Sequence, residues 1–409
     1  MNTSVTAGRP VARIATYLLL LINCLAPLAA IIVAPSLPQM QAHFAHVPNV
    51  EFLVPVSLAI PGLMVALLSP LVGFFADRVG RKRLLIIAMV GYGVMGVLPL
   101  VLPSLHAIIV SRILLGCMEA GVVTISTTLI GDYYNGALRQ RYLALQTTFA
   151  ASSAILFFMI GGALGEFGWQ VPYVVYLVAI VMAVFAYFLL REPMAEGGAG
   201  QSQEGSVRLR PSLLAVICAL TLAGGAAFMV MQIQLAYLLG DIGHGSPSTA
   251  GMIASAGSVM IVLGTLSVHL LLRLKLRIPH CLAVAFALIG LSFLMVPWAK
   301  DVQLMLLIAL INGLGCGLML PSLAIWNMRE LPSHRRGLGT GIWYGSYCLG
   351  AFLSPLLIVA ATPYTGGVAA TVGLAAWILL SMAVVALLCA MLSRPRSAFL
   401  SNACNIEEA

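Results

Sequence analysis

The chain has 409 residues, of which 61% are hydrophobic and only 8% charged, and its mean hydropathy is +1.03. Soluble globular proteins carry about 25% charged residues, so this composition excludes a soluble fold and predicts an integral membrane protein. The net charge of +8 would suggest a nucleic-acid partner only if the basic residues formed one patch. The basic residues are instead spread along the chain, so we expect the protein to lie in a lipid bilayer and to bind no nucleic acid.

Twelve apolar segments follow one another along the chain, each suited to a helical crossing of about 20 residues. Runs such as 304–320 and 369–392 are apolar on every face, which favours helices over the alternating strands of a membrane β-barrel. The predicted fold class is therefore all-α integral membrane with twelve transmembrane helices. The segments lie near 14–35, 51–75, 84–102, 105–130, 142–164, 169–190, 212–239, 249–272, 279–298, 302–327, 338–361 and 367–392.

The basic residues predict the orientation of these segments. All but two of the 21 Lys and Arg residues fall in tails or loops on the side of the N-terminus, and the exceptions are Lys300 and Arg112. Because cytoplasmic loops retain positive charge, we expect both termini in the cytoplasm and a multi-pass protein of the cell (inner) membrane. The eight cysteines show no metal-ligand spacing, so neither a metal nor a cofactor is predicted.

The longest interior connection divides the chain into two parts. Residues 191–211 are rich in Gly, Gln, Ser and Glu, which is typical of a flexible linker. They separate a predicted six-helix half at 1–190 from a second half at 212–392, and a cytoplasmic tail follows at 393–409. An acid, a turn and a basic pair occur in both 131–146 and 329–345, which indicates two parallel repeats of the kind found in secondary transporters.

The loop between the second and third segments carries the most specific motif. Residues 73–83 read GFFADRVGRKR, and they resemble the GxxxDRxGRR signature of the major facilitator superfamily. The resemblance implies a twelve-helix transporter whose two halves are held in one state by a conformational latch. The latch and relay residues are Gly73, Asp77, Gly80, Arg81 and Asp132.

Within this motif, the resemblance implies that Asp77 binds the start of the eleventh helix, near Gly337. Arg81 and Asp132, an acid at the end of the fourth helix, would complete a charge relay. Asp77 is also spaced to form an i,i+4 pair with Arg81 on one helix. The alternative interpretation is that the basic residues of the loop only fix the membrane topology.

The fourth segment contains the only charged pair deep within a helix, Arg112 and Glu119. A charge at the bilayer centre costs about 2.5–3.5 kcal/mol on insertion scales, so we expect both residues to face a cavity. Seven residues place them on nearly the same face, about 10 Å apart. Arg112 and Gly116 resemble the RxxxG motif of the family, which implies proton transfer, and the sequence around Glu119 resembles drug-efflux-like and arabinose-efflux-like permeases. The pair is either a proton-coupling site or a structural pair that holds helices together.

The fifth segment bears on the direction of transport. Antiporters of the superfamily typically carry GPxxGG there, whereas residues 157–162 read FFMIGG. This sequence keeps Gly161 and Gly162 but lacks the Gly-Pro, which weakens the case for efflux by antiport. Together with Gly165, these glycines are expected either to allow close helix packing or to take part in gating.

Four polar residues are candidates for the substrate cavity, because the resemblance to the superfamily implies that the first, fourth, seventh and tenth helices line it. Each could instead be an interhelical hydrogen-bonding group. The candidates are Asn23, Gln232, Gln234 and Asn312.

The predicted function is a secondary active transporter that exports a small organic molecule by proton antiport with alternating access. The alternatives are proton-linked uptake, and export of an endogenous metabolite such as a sugar or siderophore. The sequence contains no HExxH motif, so nothing in it points to a metallohydrolase. It also contains no repeated selectivity filter of the kind found in channels. A receptor or scaffold is a further alternative. The expected partners are protons and a small-molecule substrate, and the protein is expected to be a monomer.

Overall fold

The computed structural model describes residues 13–134, 136–192, 211–273, 276–330 and 336–392, and the regular elements in these ranges are all helical. The α-helices are α1 (Arg13–Ile22), α2 (Leu25–Ile31), α3 (Leu37–His43), α4 (Val50–Val79), α5 (Arg81–Val97), α6 (Leu105–Tyr133), α7 (Gly136–Gly165), α8 (Val178–Leu189), α9 (Pro211–Asp241), α10 (Pro247–Arg273), α11 (Ile278–Met295), α12 (Val302–Glu330), α13 (Arg336–Thr365) and α14 (Val368–Leu392). Short 3-10 helices lie at Ala34–Ser36, Leu98–Leu100, Val171–Leu177 and Val296–Trp298.

These elements form twelve candidate membrane crossings by length and composition, which confirms the number predicted from the sequence. The first crossing combines α1, α2 and α3, the sixth combines a 3-10 helix with α8, and the others each centre on one α-helix. The first crossing runs from Ile14 to His43, beyond the predicted end at residue 35.

The first crossing is broken at two prolines. α1 ends at Ile22 and α2 begins at Leu25, because the ring of Pro27 would clash with the carbonyl of Asn23 in a continuous helix. After α2 the chain turns into the 3-10 helix that contains Pro35, which lacks the N–H group that would continue the helical hydrogen bonds. The last carbonyls of α2 therefore have no helical partner and are available to side chains.

Contacts between helix ends identify the two faces of the protein. The hydroxyl of Thr16, near the start of α1, is hydrogen-bonded to that of Tyr134, which follows α6. We call this face the terminal side. At the other face, which we call the opposite side, Gly165 at the end of α7 packs against Pro247 at the start of α10.

The helices pack around two hydrophobic cores. One core is built from residues of α1–α8, with Ile233 of α9 added, and the other from residues of α9–α14. We call the two helix sets the N-terminal and C-terminal halves. They contact each other mainly through α4 with α13 and through α7 with α10. Residues 193–210 of the predicted linker and the predicted tail at 393–409 lie outside the described residues.

Candidate functional site

Arg112 is held deep inside the N-terminal half. Only 1% of this residue is exposed, and its Nη2 donates to the carbonyl of Ala29, near the end of α2, at 2.7 Å. Its guanidinium lies 5.2 Å from the ring centre of Tyr176 and 5.7 Å from that of Tyr173, which is a cation–π arrangement. Arg112 is thus bound to the first crossing and to aromatic rings, while its Nη1 is left without a hydrogen-bond partner in the described residues.

The tyrosines around Arg112 come from distant parts of the chain. The hydroxyl of Tyr176 donates to Ala29 at 3.3 Å, and that of Tyr92 donates to Leu25 at 2.6 Å. Tyr173 and Tyr176 lie in one 3-10 helix, where a spacing of three residues places side chains on one face. Sequence reasoning missed Tyr173 and Tyr176. The signal that could have found them is their spacing of three residues directly after Pro172.

Glu119 lies two helical turns from Arg112 on α6, and 6% of it is exposed. Its Oε2 is buried and has no hydrogen-bond partner, and it forms no ion pair with Arg112 within the described residues. Across the boundary between the halves, Glu119 interacts electrostatically with Tyr344 and Cys348 of α13. A buried carboxylate without a bonded partner is costly when charged, so binding a proton would relieve that cost.

The RxxxG motif is explained by helix packing. A Cβ atom on Gly116 would lie 2.7 Å from the Cα of Pro61 and 2.8 Å from its carbonyl oxygen. Both are backbone atoms of α4, which cannot rotate away. Gly116 therefore allows α4 to cross α6 next to Arg112.

On the terminal side, the structure brings two of the predicted relay residues together. Arg81 forms an ion pair with Asp132, and each side chain is 25% exposed. The pairing of Asp77 with Arg81 was predicted on one continuous helix, but α4 ends at Val79 and α5 begins at Arg81, so that spacing argument does not apply. The side chain of Asp77 lies outside the described residues, as do the surroundings of Gly337.

Gly80 provides the turn between α4 and α5. Its φ of +100° is a conformation that residues with a Cβ rarely adopt, and a Cβ there would lie 3.3 Å from Oε1 of Glu192. The Glu192 carboxylate accepts from the backbone N–H groups of Arg81 and Lys82, the second at 3.0 Å. It thus caps the N-terminus of α5, a role that the sequence did not reveal. Gly73 differs, since a Cβ there would meet no heavy atom within 4 Å.

On the opposite side, α7 is continuous through the positions of the GPxxGG motif. Phe158, at the position of the missing proline, is 1% exposed within the N-terminal core. A Cβ on Gly161 would collide with the carbonyl of Ile32, and a Cβ on Gly162 would lie 2.6 Å from the carbonyl oxygen of Pro247. The first glycine packs inside the N-terminal half, and the second packs between the halves.

Two of the predicted cavity residues lie together inside the C-terminal half. Gln232 and Asn312 line a small cavity whose walls come from α9, α10 and α12. Asn312 is 3% exposed, and its Nδ2 donates to the hydroxyl of Ser292 on α11 at 3.1 Å. Of the other two, Gln234 is buried, while Asn23 is half-buried at the first break of its crossing. The hydrogen bond of Asn312 is interhelical, which was the alternative interpretation for this group.

Comparison with known proteins identifies the family. The chain matches the Major Facilitator Superfamily over residues 19–355 and 244–405. The chain belongs to this superfamily. It is therefore a multi-pass membrane protein and a transporter rather than an enzyme.

Solved structures confirm the predicted fold. A crystal structure of the peptide transporter POT aligns with a TM-score of 0.72 at 15% identity, over 94% of this chain and 95% of that chain. The nucleoside transporter NupG aligns with a TM-score of 0.69 at 14% identity, over 91% of this chain and 99% of that chain. At such identities the likeness shows the fold alone.

Curated relatives match only part of the chain. The multidrug efflux pump LfrA of Mycolicibacterium smegmatis is 32% identical over 126 residues, which is 30% of this chain and 23% of that protein. A Bacillus subtilis protein named as a proposed niacin/nicotinamide transporter is 27% identical over 124 residues, which is 29% of either chain. The matches thus span less than a third of the relatives' own length.

Proposed function

We propose that this superfamily member exports a small organic molecule in exchange for protons, and that Glu119 takes up and releases the proton. The observation that carries the proposal is the buried, unpaired carboxylate oxygen of Glu119 at the boundary between the halves. Arg112 keeps its proton at all working pH values, so it serves as the fixed positive charge beside the carboxylate. Its contacts with Ala29 and Tyr176 tie it to the first and sixth crossings, so a change of charge at Glu119 would act on these crossings through Arg112.

The arrangement of the halves supports alternating access. On the opposite side, the outer part of the first crossing contacts α9 and α10, and α7 contacts α10. The described parts of α6 and α7 make no extensive contact with α12 or α13 towards the terminal side. With the terminal side assigned to the cytoplasm on the basis of its positive charges, we infer an inward-facing state, in which the cavity would load its substrate from the cytoplasm.

The direction of transport rests on three observations that do not agree. The likeness to a multidrug efflux pump favours export. The continuous α7, without the Gly-Pro of the antiporter motif, favours the alternative of proton-linked uptake, as does the relative named for niacin or nicotinamide transport. Export of an endogenous metabolite, such as a sugar or siderophore, is compatible with the same proton site.

Replacing Glu119 with Gln tests the proton site. The amide imitates the protonated carboxyl but exchanges no proton, so concentrative transport should fall to background while downhill exchange continues. The measurement is substrate and proton flux in proteoliposomes, with a compound panel that includes nicotinamide and a lipophilic cationic dye, and with the pH gradient imposed in either direction. Glu51→Gln is the matched control, because Glu51 is an exposed carboxylate in the first turn of α4.

The outcomes separate the interpretations of Glu119. Coupled proton flux at the wild-type rate in a folded Glu119→Gln protein would exclude this carboxylate as the proton carrier. If Glu119 served only to balance the charge of Arg112, removing its charge would leave the buried cation uncompensated at a cost of about 3–5 kcal/mol, and lost thermal stability would precede any change in transport. If the substrate is concentrated only when the pH gradient is reversed, the protein would be a proton-linked uptake transporter rather than an exporter.

A further inference from the structure

A carboxylate from one half binds a helix N-terminus of the other half on the opposite side of the protein. Glu166 directly follows α7 in the N-terminal half, and its Oε1 accepts from the backbone N–H of Ser248 at 2.9 Å. Ser248 lies in the first turn of α10, in the C-terminal half. The first N–H groups of a helix have no partner within the helix and carry partial positive charge, so a carboxylate is favoured there.

The charge state of Glu166 suits this contact. Side-chain and backbone hydrogen bonds from Ser248 lower the pKa of the Glu166 carboxyl below its ordinary value, and a further hydrogen bond from the Ser246 side chain acts in the same direction. A lowered pKa means that the carboxylate is ionised at neutral pH. Glu166 is exposed, so it adds little to either hydrophobic core, and removal of its charge should leave each half folded.

The helices beneath this contact meet without intervening side chains. A Cβ on Gly162 would lie 3.0 Å from the Cα of Gly251, so the backbones of α7 and α10 nearly touch. One turn further from the surface, the hydroxyl of Ser255 donates to the carbonyl of Ile155 at 2.9 Å. These contacts join the halves only while the opposite side is closed, because alternating access requires α7 and α10 to separate there.

We infer that Glu166 is a latch residue: by binding the N-terminus of α10, it stabilises the state that is closed on the opposite side. It acts on the other face of the membrane from the motif at residues 73–83 and joins a different pair of helices. When the opposite side opens, Ser248 moves away and the carboxylate returns to water, so the contact favours one state over the other. The latch sets the resting population of the closed state and requires no substrate.

Glu166→Gln and Glu166→Lys test the latch, because the first removes the charge and the second reverses it. Asp301→Asn is the matched control, since Asp301 accepts from the backbone N–H of Leu304 at 2.7 Å and so caps α12 within a single half. All three changes affect carboxylates that cap a helix, but only Glu166 joins the halves.

The measurement is the distance between spin labels at positions 101 and 364, one on each half, in a background without the native cysteines. Val101 and Tyr364 are 77% and 91% exposed and lie next to loops of the opposite side. Glu166→Gln should raise the ratio of the longer to the shorter distance population about two- to five-fold, and Glu166→Lys should raise it further. Glu166→Asp, which keeps the charge, should shift the ratio less than Glu166→Gln.

Two results would overturn the latch. One is an unchanged distance distribution in folded Glu166→Gln and Glu166→Lys proteins, and the other is an equal shift in Asp301→Asn. The measurement uses neither substrate nor a proton gradient, so its outcome is independent of whether Glu119 carries a proton or the protein exports its substrate.

Discussion

Replacing Gly162 with Ala should open the opposite side. The added Cβ would lie 2.6 Å from the carbonyl oxygen of Pro247 and 3.0 Å from the Cα of Gly251, whereas ordinary contacts begin at 3.4 Å. Both neighbours are backbone atoms, so no side-chain rotation relieves the overlap. The two helices must move apart by up to about 0.8 Å, the difference between 3.4 and 2.6 Å, or the halves must separate.

The size of the effect follows from the state in which the overlap exists. Inserting one carbon into a tightly packed contact costs about 1–3 kcal/mol. That cost falls only on the state in which α7 and α10 touch, because in a state open on the opposite side the methyl group has room. A difference of this size shifts a two-state equilibrium by about 5- to 150-fold, here towards the state open on the opposite side.

The assay is the alkylation rate of a cysteine at position 36 by a membrane-impermeant reagent, in a background without the native cysteines. Ser36 is fully buried and lies against Gly165, so it reacts only when the opposite side opens. Gly62→Ala is the control, because a Cβ on Gly62 of α4 would meet no heavy atom within 4 Å. An unchanged rate in folded Gly162→Ala protein, or an equal increase in Gly62→Ala protein, would refute the reasoning.

Two further predictions concern the terminal side. Gly80→Ala should lower the melting temperature through a cost of about 1–3 kcal/mol, because Gly80 has φ +100° and ψ 134°. Gly73→Ala, with no atom near its Cβ, should leave stability close to wild type. Equal effects of the two changes would contradict this account of the turn. A reporter fused within residues 196–206 should be cytoplasmic and one at 243–246 external, and the reverse pattern would overturn the orientation inferred from positive charge.

The twelve crossings could be predicted because the bilayer imposes one simple requirement, about 20 apolar residues per helix. The end of the first crossing could not be predicted in this way. Its last helix, Leu37–His43, reads LPQMQAH, and the two glutamines and the histidine lower the hydropathy of any window that includes them. Leu37 and Met40 are nevertheless buried against the N-terminal core, so tertiary packing rather than local hydropathy extends the crossing.

The charged pair of the candidate site could also be predicted, since a charge inside an apolar segment is visible in the sequence. The residues that contact this pair could not be predicted. Tyr176 reaches Arg112 from a different crossing, and no local pattern encodes which crossings are neighbours. The same limit explains why Glu166 and Glu192 were missed: each looks like an ordinary loop carboxylate until the fold brings a helix N-terminus to it.

The structure also links the charged pair to the closure of the opposite side. Arg112 binds the carbonyl of Ala29, so its position is tied to α2 of the first crossing. Just beyond α2, the carbonyl of Ile32 is the atom that a Cβ on Gly161 would strike, and the following 3-10 helix contacts α9 and α10 of the C-terminal half. The contact of Gly161 with Ile32 is made by backbone atoms, so a shift of α2 at this point cannot be absorbed by side-chain rotation. A proton bound at Glu119 would change the electric field at Arg112, and a resulting movement of Arg112 would act on the surface that Glu166 holds closed.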